Sequence, residues 1–195
     1  MKNKNELFPV FLKTHLLKIL IIGGGNVAHE KLHFLLKSSP DSRVAVIAPK
    51  IKNEIKDFLS NHYFLELKYR EFQEQDISGY DIIIAATGDR KVNQEIYQSA
   101  KLFGKLINVA DTPDLCNFYL GGVVTKGNLK IAISTNGKSP TMAKRLREVF
   151  EEIIPDELDE SLKSLYEIRS KMKLNFKEKV QQLNDITKNF KIINN

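Results

Sequence analysis

The sequence predicts an α/β protein in which a parallel sheet is followed by a β-hairpin-plus-helix segment and a small helical tail. Three observations predict it. Short β-branched and aliphatic runs alternate with stretches of helical period as far as Asp111. The first of these runs stops at three consecutive glycines. After Asp111 the alternation gives way to two adjacent strand candidates and then to helices alone.

The elements follow in order. Lys18 to Ile22 reads as a buried parallel strand, ending at Gly23-Gly24-Gly25. From Asn26 to Lys37 the residues Val27, Ala28, Leu32, Leu35 and Leu36 recur at helical spacing, and Ser38-Ser39-Pro40-Asp41 supplies turn chemistry. Arg43 to Ala48 is a second strand, Ile51 to Leu59 a helix, Phe64 to Tyr69 a third strand and Tyr80 to Ala86 a fourth. A helix from Lys91 to Phe103 and a strand from Lys105 to Ala110 complete the alternation. Asn117 to Thr125 and Leu129 to Thr135, joined by Lys126-Gly127-Asn128, read as a hairpin. Ser139 then caps a helix with Pro140 in its first turn; Met142, Leu146, Val149, Phe150 and Ile153 lie along one face until Pro155. In the tail Leu158, Leu162, Leu165 and Met172, then Phe176, Val180, Leu183 and Phe190, form amphipathic stripes, and Asn194-Asn195 is expected to fray. The expected divisions are 1–112, 113–154 and 155–195.

Composition narrows the function. The 195 residues fit one domain or one and a half, and Lys and Arg exceed Asp and Glu by 30 − 24 = 6, which favours an anionic ligand. A single cysteine, Cys116, excludes an intrachain disulfide and any multi-cysteine metal site, as expected in a reducing cytoplasm. The apolar run Leu16 to Ile22 is far shorter than the ~20 residues of a membrane span, and no signal-peptide pattern precedes it. The expectation is a soluble intracellular protein without membrane or nucleic-acid partners. His15, His29, His33 and His62 read as scattered surface or helix-packing residues, with no metal-ligand spacing.

Gly23-Gly24-Gly25-Asn26-Val27-Ala28 fits G-x-G-x-x-A between a strand and a helix, the context a dinucleotide site requires. The first glycine permits a tight turn, the second lets the backbone approach a pyrophosphate, and Ala28 lets helix and sheet pack closely. Replacing Gly23 by Val is expected to collide with the pyrophosphate. The second strand ends in Ile47-Ala48-Pro49-Lys50 without the usual ribose-binding acid; Lys50 fits a 2′-phosphate, hence NADP, or a solvated surface charge. Thr87, after the fourth strand, falls on the same sheet edge, and Asp89 reads as a loop residue. Asp111 just past the fifth strand reads equally as a turn former, before Thr112-Pro113, or as an acid/base group.

Together with Phe8-Pro9-Val10-Phe11-Leu12, Lys31, Ala85-Ala86-Thr87, Asn108-Val109-Ala110-Asp111, Cys116-Asn117-Phe118 and Ile131 to Pro140, the glycine turn resembles the precorrin-2 dehydrogenase/sirohydrochlorin ferrochelatase family, the dehydrogenase module of siroheme synthase. The resemblance covers about the first 155 residues. It implies a Rossmann-like domain and a cytoplasmic homodimer formed through 113–154, with the active site between that segment and the nucleotide domain. It further implies NAD-dependent oxidation of precorrin-2 to sirohydrochlorin and, in some members, Fe²⁺ insertion. Asp111 matches the family's proposed acid/base group for both steps. The expected cofactor positions are Gly23, Gly24, Gly25, Asn26, Val27, Pro49, Lys50, Thr87 and Asn108. For a substrate with eight carboxylates, Thr135, Lys138, Ser139, Lys144 and Arg145 are the expected contacts, within a basic set that also holds Lys126, Lys130 and Arg147. Thr135 keeps a hydroxyl where some members carry a phosphorylatable serine. Gly88, His29 and Gly121 depart from the family pattern, and Gly121, in place of a proline, is expected to free the backbone near the hairpin. The resemblance implies no resident metal. The alternative from another class is a non-catalytic NAD(H)-responsive dimeric sensor.

Overall fold

The computed structural model describes residues 5–188; the readings for Phe190, Asn194 and Asn195 lie outside them. The chain forms two compact units that meet in sequence at Leu120 and Gly121. In the first, β1 (Lys18–Ile22), β2 (Arg43–Ile47), β3 (Leu65–Lys68), β4 (Ile82–Ala85) and β5 (Leu106–Val109) form one sheet in the order β3-β2-β1-β4-β5, with every pairing parallel. Helices α1 (Asn26–Ser38), α2 (Asn53–Lys56) and α3 (Arg90–Leu102) lie between the strands in sequence.

Alternation along the strands explains the packing. Ile19, Ile21, Val44 and Val46 join Ala28, Leu32 and Leu36 of α1 in one apolar cluster. Their neighbours Leu20, Ile22, Ala45 and Ile47 join Ile96 and Ala100 of α3 in the other. The strands are therefore buried on both faces, which is why they read as continuous apolar runs. Ala28 is fully buried, as the close helix–sheet approach requires.

Two expected elements are shorter than read. The stretch Ile51 to Leu59 is one α turn, α2, continued as a 3₁₀ turn over Asp57–Ser60; it buries Ile51 and Ile55 and only part of Phe58, too little for a longer amphipathic helix. The first hairpin strand begins at Gly122 rather than Asn117. Asn117 instead exchanges hydrogen bonds with β5: its amide donates to the Ile107 carbonyl (2.8 Å), and its side-chain oxygen accepts from the Ile107 amide (3.1 Å). These bonds place residues 113–120 in the first unit.

The second unit holds the antiparallel pair β6 (Gly122–Lys126) and β7 (Leu129–Ile133), then α4 (Pro140–Ile153), α5 (Leu158–Lys171) and α6 (Phe176–Thr187). Ser139 caps α4, its hydroxyl accepting from the Met142 amide (3.2 Å). Gly127 adopts φ +55° at the hairpin turn. Gly121 does not loosen the backbone: a Cβ there would overlap the Ile133 carbonyl oxygen, so the position is a close contact that only glycine allows. Among the described residues no helix is long and apolar enough to cross a membrane.

Candidate functional site

The register aligns Ile22, Ala85 and Val109 across β1, β4 and β5. The glycine turn, the Ala86-Thr87 loop and the Ala110-Asp111 turn therefore leave the sheet side by side at its carboxyl edge, where open parallel sheets bind ligands.

The three glycines do different work. Gly23 has φ +131°, and a Cβ on it would overlap the Ala86 carbonyl of the protein itself. This corrects the expectation of a clash with a pyrophosphate: the constraint at Gly23 is packing against the end of β4. At Gly24 a Cβ would overlap the Lys50 carbonyl, because the loop after β2 lies on the turn, fixed by the Lys52 amide donating to the Gly24 carbonyl (3.0 Å). Gly25 is the N-cap of α1 with no side-chain cap, and a Cβ there would meet nothing within 4 Å. Among the described residues no acceptor meets the amides of Asn26, Val27 and Ala28. An open backbone and orphan first-turn donors fit a dinucleotide pyrophosphate.

Lys52, absent from the expected set, is the lysine tied to this turn. Its ammonium donates to Asn26 Oδ1 (2.6 Å) and pairs with Glu54 (3.0 Å). Its signal was its place in the loop following the second strand, two residues after Lys50. Pro49 and Lys50 are exposed in that loop. Asn93 is also absent from the expected set. It is buried beneath the Ala86-Thr87 loop, where its Oδ1 accepts from the Thr87 hydroxyl (2.6 Å) and amide (3.3 Å), and its Nδ2 donates to the Thr87 carbonyl (3.3 Å). Asp89 is the N-cap of α3, accepting from the Lys91 (2.7 Å) and Val92 (3.4 Å) amides, in keeping with the loop reading.

Asp111 is exposed and adopts φ +56°, a left-handed conformation uncommon outside glycine. The chain on either side of it is well held. The Ala110 amide donates to the Ala85 carbonyl (2.9 Å), and the Thr112 amide to that of Val109 (3.3 Å). The Cys116 sulfur accepts from the Val109 amide (3.2 Å) and reaches the Val109 (3.3 Å) and Thr112 (3.4 Å) carbonyls. Partial burial raises the thiol pKa, which keeps Cys116 a neutral donor at the base of the turn. Asn108 is buried, and its amide group donates to the Phe118 carbonyl (2.9 Å), so its side chain fastens 116–118 to β5.

The expected substrate contacts lie on the second unit. The Thr135 hydroxyl donates to the Ser139 carbonyl (3.0 Å) and accepts from the Ser139 amide (3.2 Å), closing a loop in which Asn136 and Gly137 have positive φ. The basic set is largely neutralised locally. Arg145 pairs with Glu148 (2.9 Å), Lys144 lies 3.9 Å from it, Arg147 pairs with Glu151 (2.5 Å) and Lys126 with Asp156 (2.6 Å). No acidic partner reaches Lys138 among the described residues. Three of the four histidines are not scattered: His29, His33 and His62 lie around the Phe58 ring, at centroid separations of 5.7, 6.0 and 5.8 Å, because α1 and the turn after α2 pack together. Among the described residues no group of three His, Cys, Asp or Glu side chains is placed to hold a metal ion.

The parallel sheet, its strand order and the glycine turn define a Rossmann-type dinucleotide-binding protein. The NAD(P)-binding family model matches residues 10–122, and the chain belongs to that family. Residues 126–152 match the model described as sirohaem biosynthesis protein central. Siroheme synthase of Psychrobacter arcticus is 36% identical over 166 residues, covering 85% of this chain and 30% of the relative. Siroheme synthase of Methylococcus capsulatus is 38% identical over 150 residues, covering 77% and 31%. The chain thus spans about a third of the length of these curated relatives. The solved structure of SirC, precorrin-2 dehydrogenase, superposes with a TM-score of 0.71 at 25% identity, covering 92% of this chain and 89% of that one.

Proposed function

We propose that the chain oxidises precorrin-2 to sirohydrochlorin with NAD as the hydride acceptor, in siroheme biosynthesis in the cytoplasm. The observation that carries this reading is the alignment of Ile22, Ala85 and Val109, which brings the open glycine turn and Asp111 to one sheet edge. The likeness to siroheme synthases and to SirC supplies the substrate class.

A nicotinamide dinucleotide, when bound, takes up the hydride that leaves a ring carbon of the tetrapyrrole. The chain's own residues do the rest. Gly25 and the first-turn amides of α1 hold the pyrophosphate, and Thr87 borders the site through its fixed peptide. The Asp111 carboxylate accepts the proton that the tetrapyrrole releases as the hydride leaves. The same carboxylate takes up pyrrole N–H protons when Fe²⁺, as a substrate, enters the macrocycle. Thr135, Lys138, Ser139, Lys144 and Arg145 meet substrate carboxylates, Lys138 with its charge uncompensated by a neighbouring acid. We also assign the assembly as a homodimer. Met142 (53% exposed), Leu146 (37%) and Val149 (49%) leave an apolar strip of α4 uncovered in the single chain, and a second copy covers it.

The test is anaerobic incubation of the protein with enzymatically generated precorrin-2 and NAD, following tetrapyrrole absorbance and NADH, before and after Fe²⁺ is added. NADH formed in step with sirohydrochlorin supports the dehydrogenase, and a further Fe²⁺-dependent change faster than the protein-free control supports chelation. Intact NAD binding without turnover would overturn the assignment.

A further inference from the structure

We propose that Asn93 is a positioning residue for the dinucleotide site: from beneath the sheet edge it fixes the Thr87 peptide in the conformation the cofactor requires. The inference deepens the reading above and rests on it. Asn93 is 7% exposed, yet it lies near the start of α3, one turn after the Asp89 cap. A buried amide in that position must find partners for its polar atoms, and here it finds all of them in one residue. Oδ1 accepts from both the amide and the hydroxyl of Thr87, and Nδ2 donates to the Thr87 carbonyl. One side chain thus engages every polar group of Thr87.

The consequence for a ligand follows from the donor inventory. A threonine hydroxyl has a single proton, and the Thr87 oxygen lies 2.6 Å from Asn93 Oδ1 and 3.0 Å from the Asp89 carbonyl, both acceptors within the protein. The hydroxyl therefore has no proton left over for a cofactor, and Thr87 serves the site by where its backbone lies. That backbone is the wall of the glycine turn: Ala86 and Thr87 are the atoms a Cβ on Gly23 would strike. Loss of the Asn93 clamp lets the loop shift against Gly23 and alters the space in which the dinucleotide sits, while Asp111, in the turn after β5, stays in place.

The experiment measures NAD affinity directly, with thermal unfolding and precorrin-2 turnover alongside, for wild type, Asn93→Ala, Asn93→Asp and Thr87→Val. Asn93→Ala is expected to raise the Kd and the KM for NAD about tenfold, ~1.4 kcal/mol, with kcat changed less than threefold. In Asn93→Asp a protonated carboxyl can donate to the Thr87 carbonyl as the amide does, and an ionised one cannot. Its NAD affinity is therefore expected to approach wild type at low pH and fall as pH rises, a dependence a merely structural role would not produce while the folded fraction stays constant. Thr87→Val, which removes the hydroxyl but keeps the hydrogen bonds of its backbone amide and carbonyl to Asn93, is expected to cost less than Asn93→Ala. NAD affinity in Asn93→Ala equal to wild type, or a loss that tracks only the unfolded fraction, would overturn the proposal. NAD binding without precorrin-2 turnover would overturn the substrate reading and leave Asn93 to be decided by the binding arm alone. A wild-type protein that binds neither NAD nor NADP would overturn both.

Discussion

At the scale of single residues, the three consecutive glycines make a separable prediction because their surroundings differ. A Ser at position 25 meets empty space and supplies the cap that α1 lacks, so Gly25→Ser is expected to hold or slightly raise the unfolding temperature. The same side chain fills the approach to the first-turn amides, and NAD affinity is expected to fall about tenfold or more, ~1.4 kcal/mol. Gly23→Ala inverts the pattern: with φ +131° and the Ala86 carbonyl in the way, it is expected to destabilise by about 1–3 kcal/mol. Calorimetric titration with NAD beside thermal melts separates the two. Asp111→Asn keeps the turn's shape, since Asn tolerates left-handed φ, and removes the carboxylate proposed as the base. Turnover is expected to drop about 10²–10⁴-fold while NAD affinity stays within about threefold; rates near wild type would withdraw the acid/base role. The motif residues were legible in the sequence because glycine runs and Asp-Thr-Pro have local signatures. Asn93 was not, since its role depends on how the preceding loop folds back on it, and Lys52 was marked only by its place after the second strand.

At the scale of elements, the five strands and the helices α1, α3 and α4 stand where apolar period placed them, with ends displaced by one or two residues. The shortened hairpin strand has a long-range cause. Asn117 to Gly121 carries strand-like residues but is claimed by the edge of β5, a long-range partner that no local pattern announces. The hairpin shows the opposite case, a local turn fixed by a distant charge. Asp159 on α5 accepts from the Asn128 backbone and side-chain amides, each at 2.7 Å, and pairs with Lys163 (2.7 Å), which holds its pKa at about 2. A carboxylate whose pKa is lowered on folding stabilises fully above its unfolded value and loses that contribution as pH falls through the folded one. For Asp159 the window runs from 3.8 down to about 2. Wild type is therefore expected to unfold at higher temperature than Asp159→Asn at pH 5, with the gap closing as pH approaches 2. A gap independent of pH would point to packing rather than charge.

At the scale of the whole molecule, the uncovered strip on α4 carries the prediction of assembly. Its residues were read from sequence as one helix face, correctly, but a single chain shows that only Ala143 of that helix is buried. An apolar face left open marks an interface. Leu146→Glu places a charge in the strip, outside the residues assigned to the nucleotide site, so it is expected to convert a dimer to a monomer in sedimentation or light-scattering measurements while NAD affinity is retained. A wild-type monomer at micromolar concentration would remove the homodimer assignment. The composition argument about charge needs similar refinement. The excess of Lys and Arg is a property of the sequence, yet Lys126, Lys144, Arg145 and Arg147 spend much of their charge on Asp156, Glu148 and Glu151, and a polycarboxylate must compete with those pairs.

The segment 116–118 also has a protective consequence. An open parallel sheet ends in strands whose outward amides invite pairing with another chain, a standing route to aggregation. On the β5 side that invitation is withdrawn. Asn117 consumes both the amide and the carbonyl of Ile107, and Cys116 occupies the Val109 amide. Cys116 and Asn117, which hold the chain beside the Asp111 turn, thereby also seal the β5 rim of the sheet.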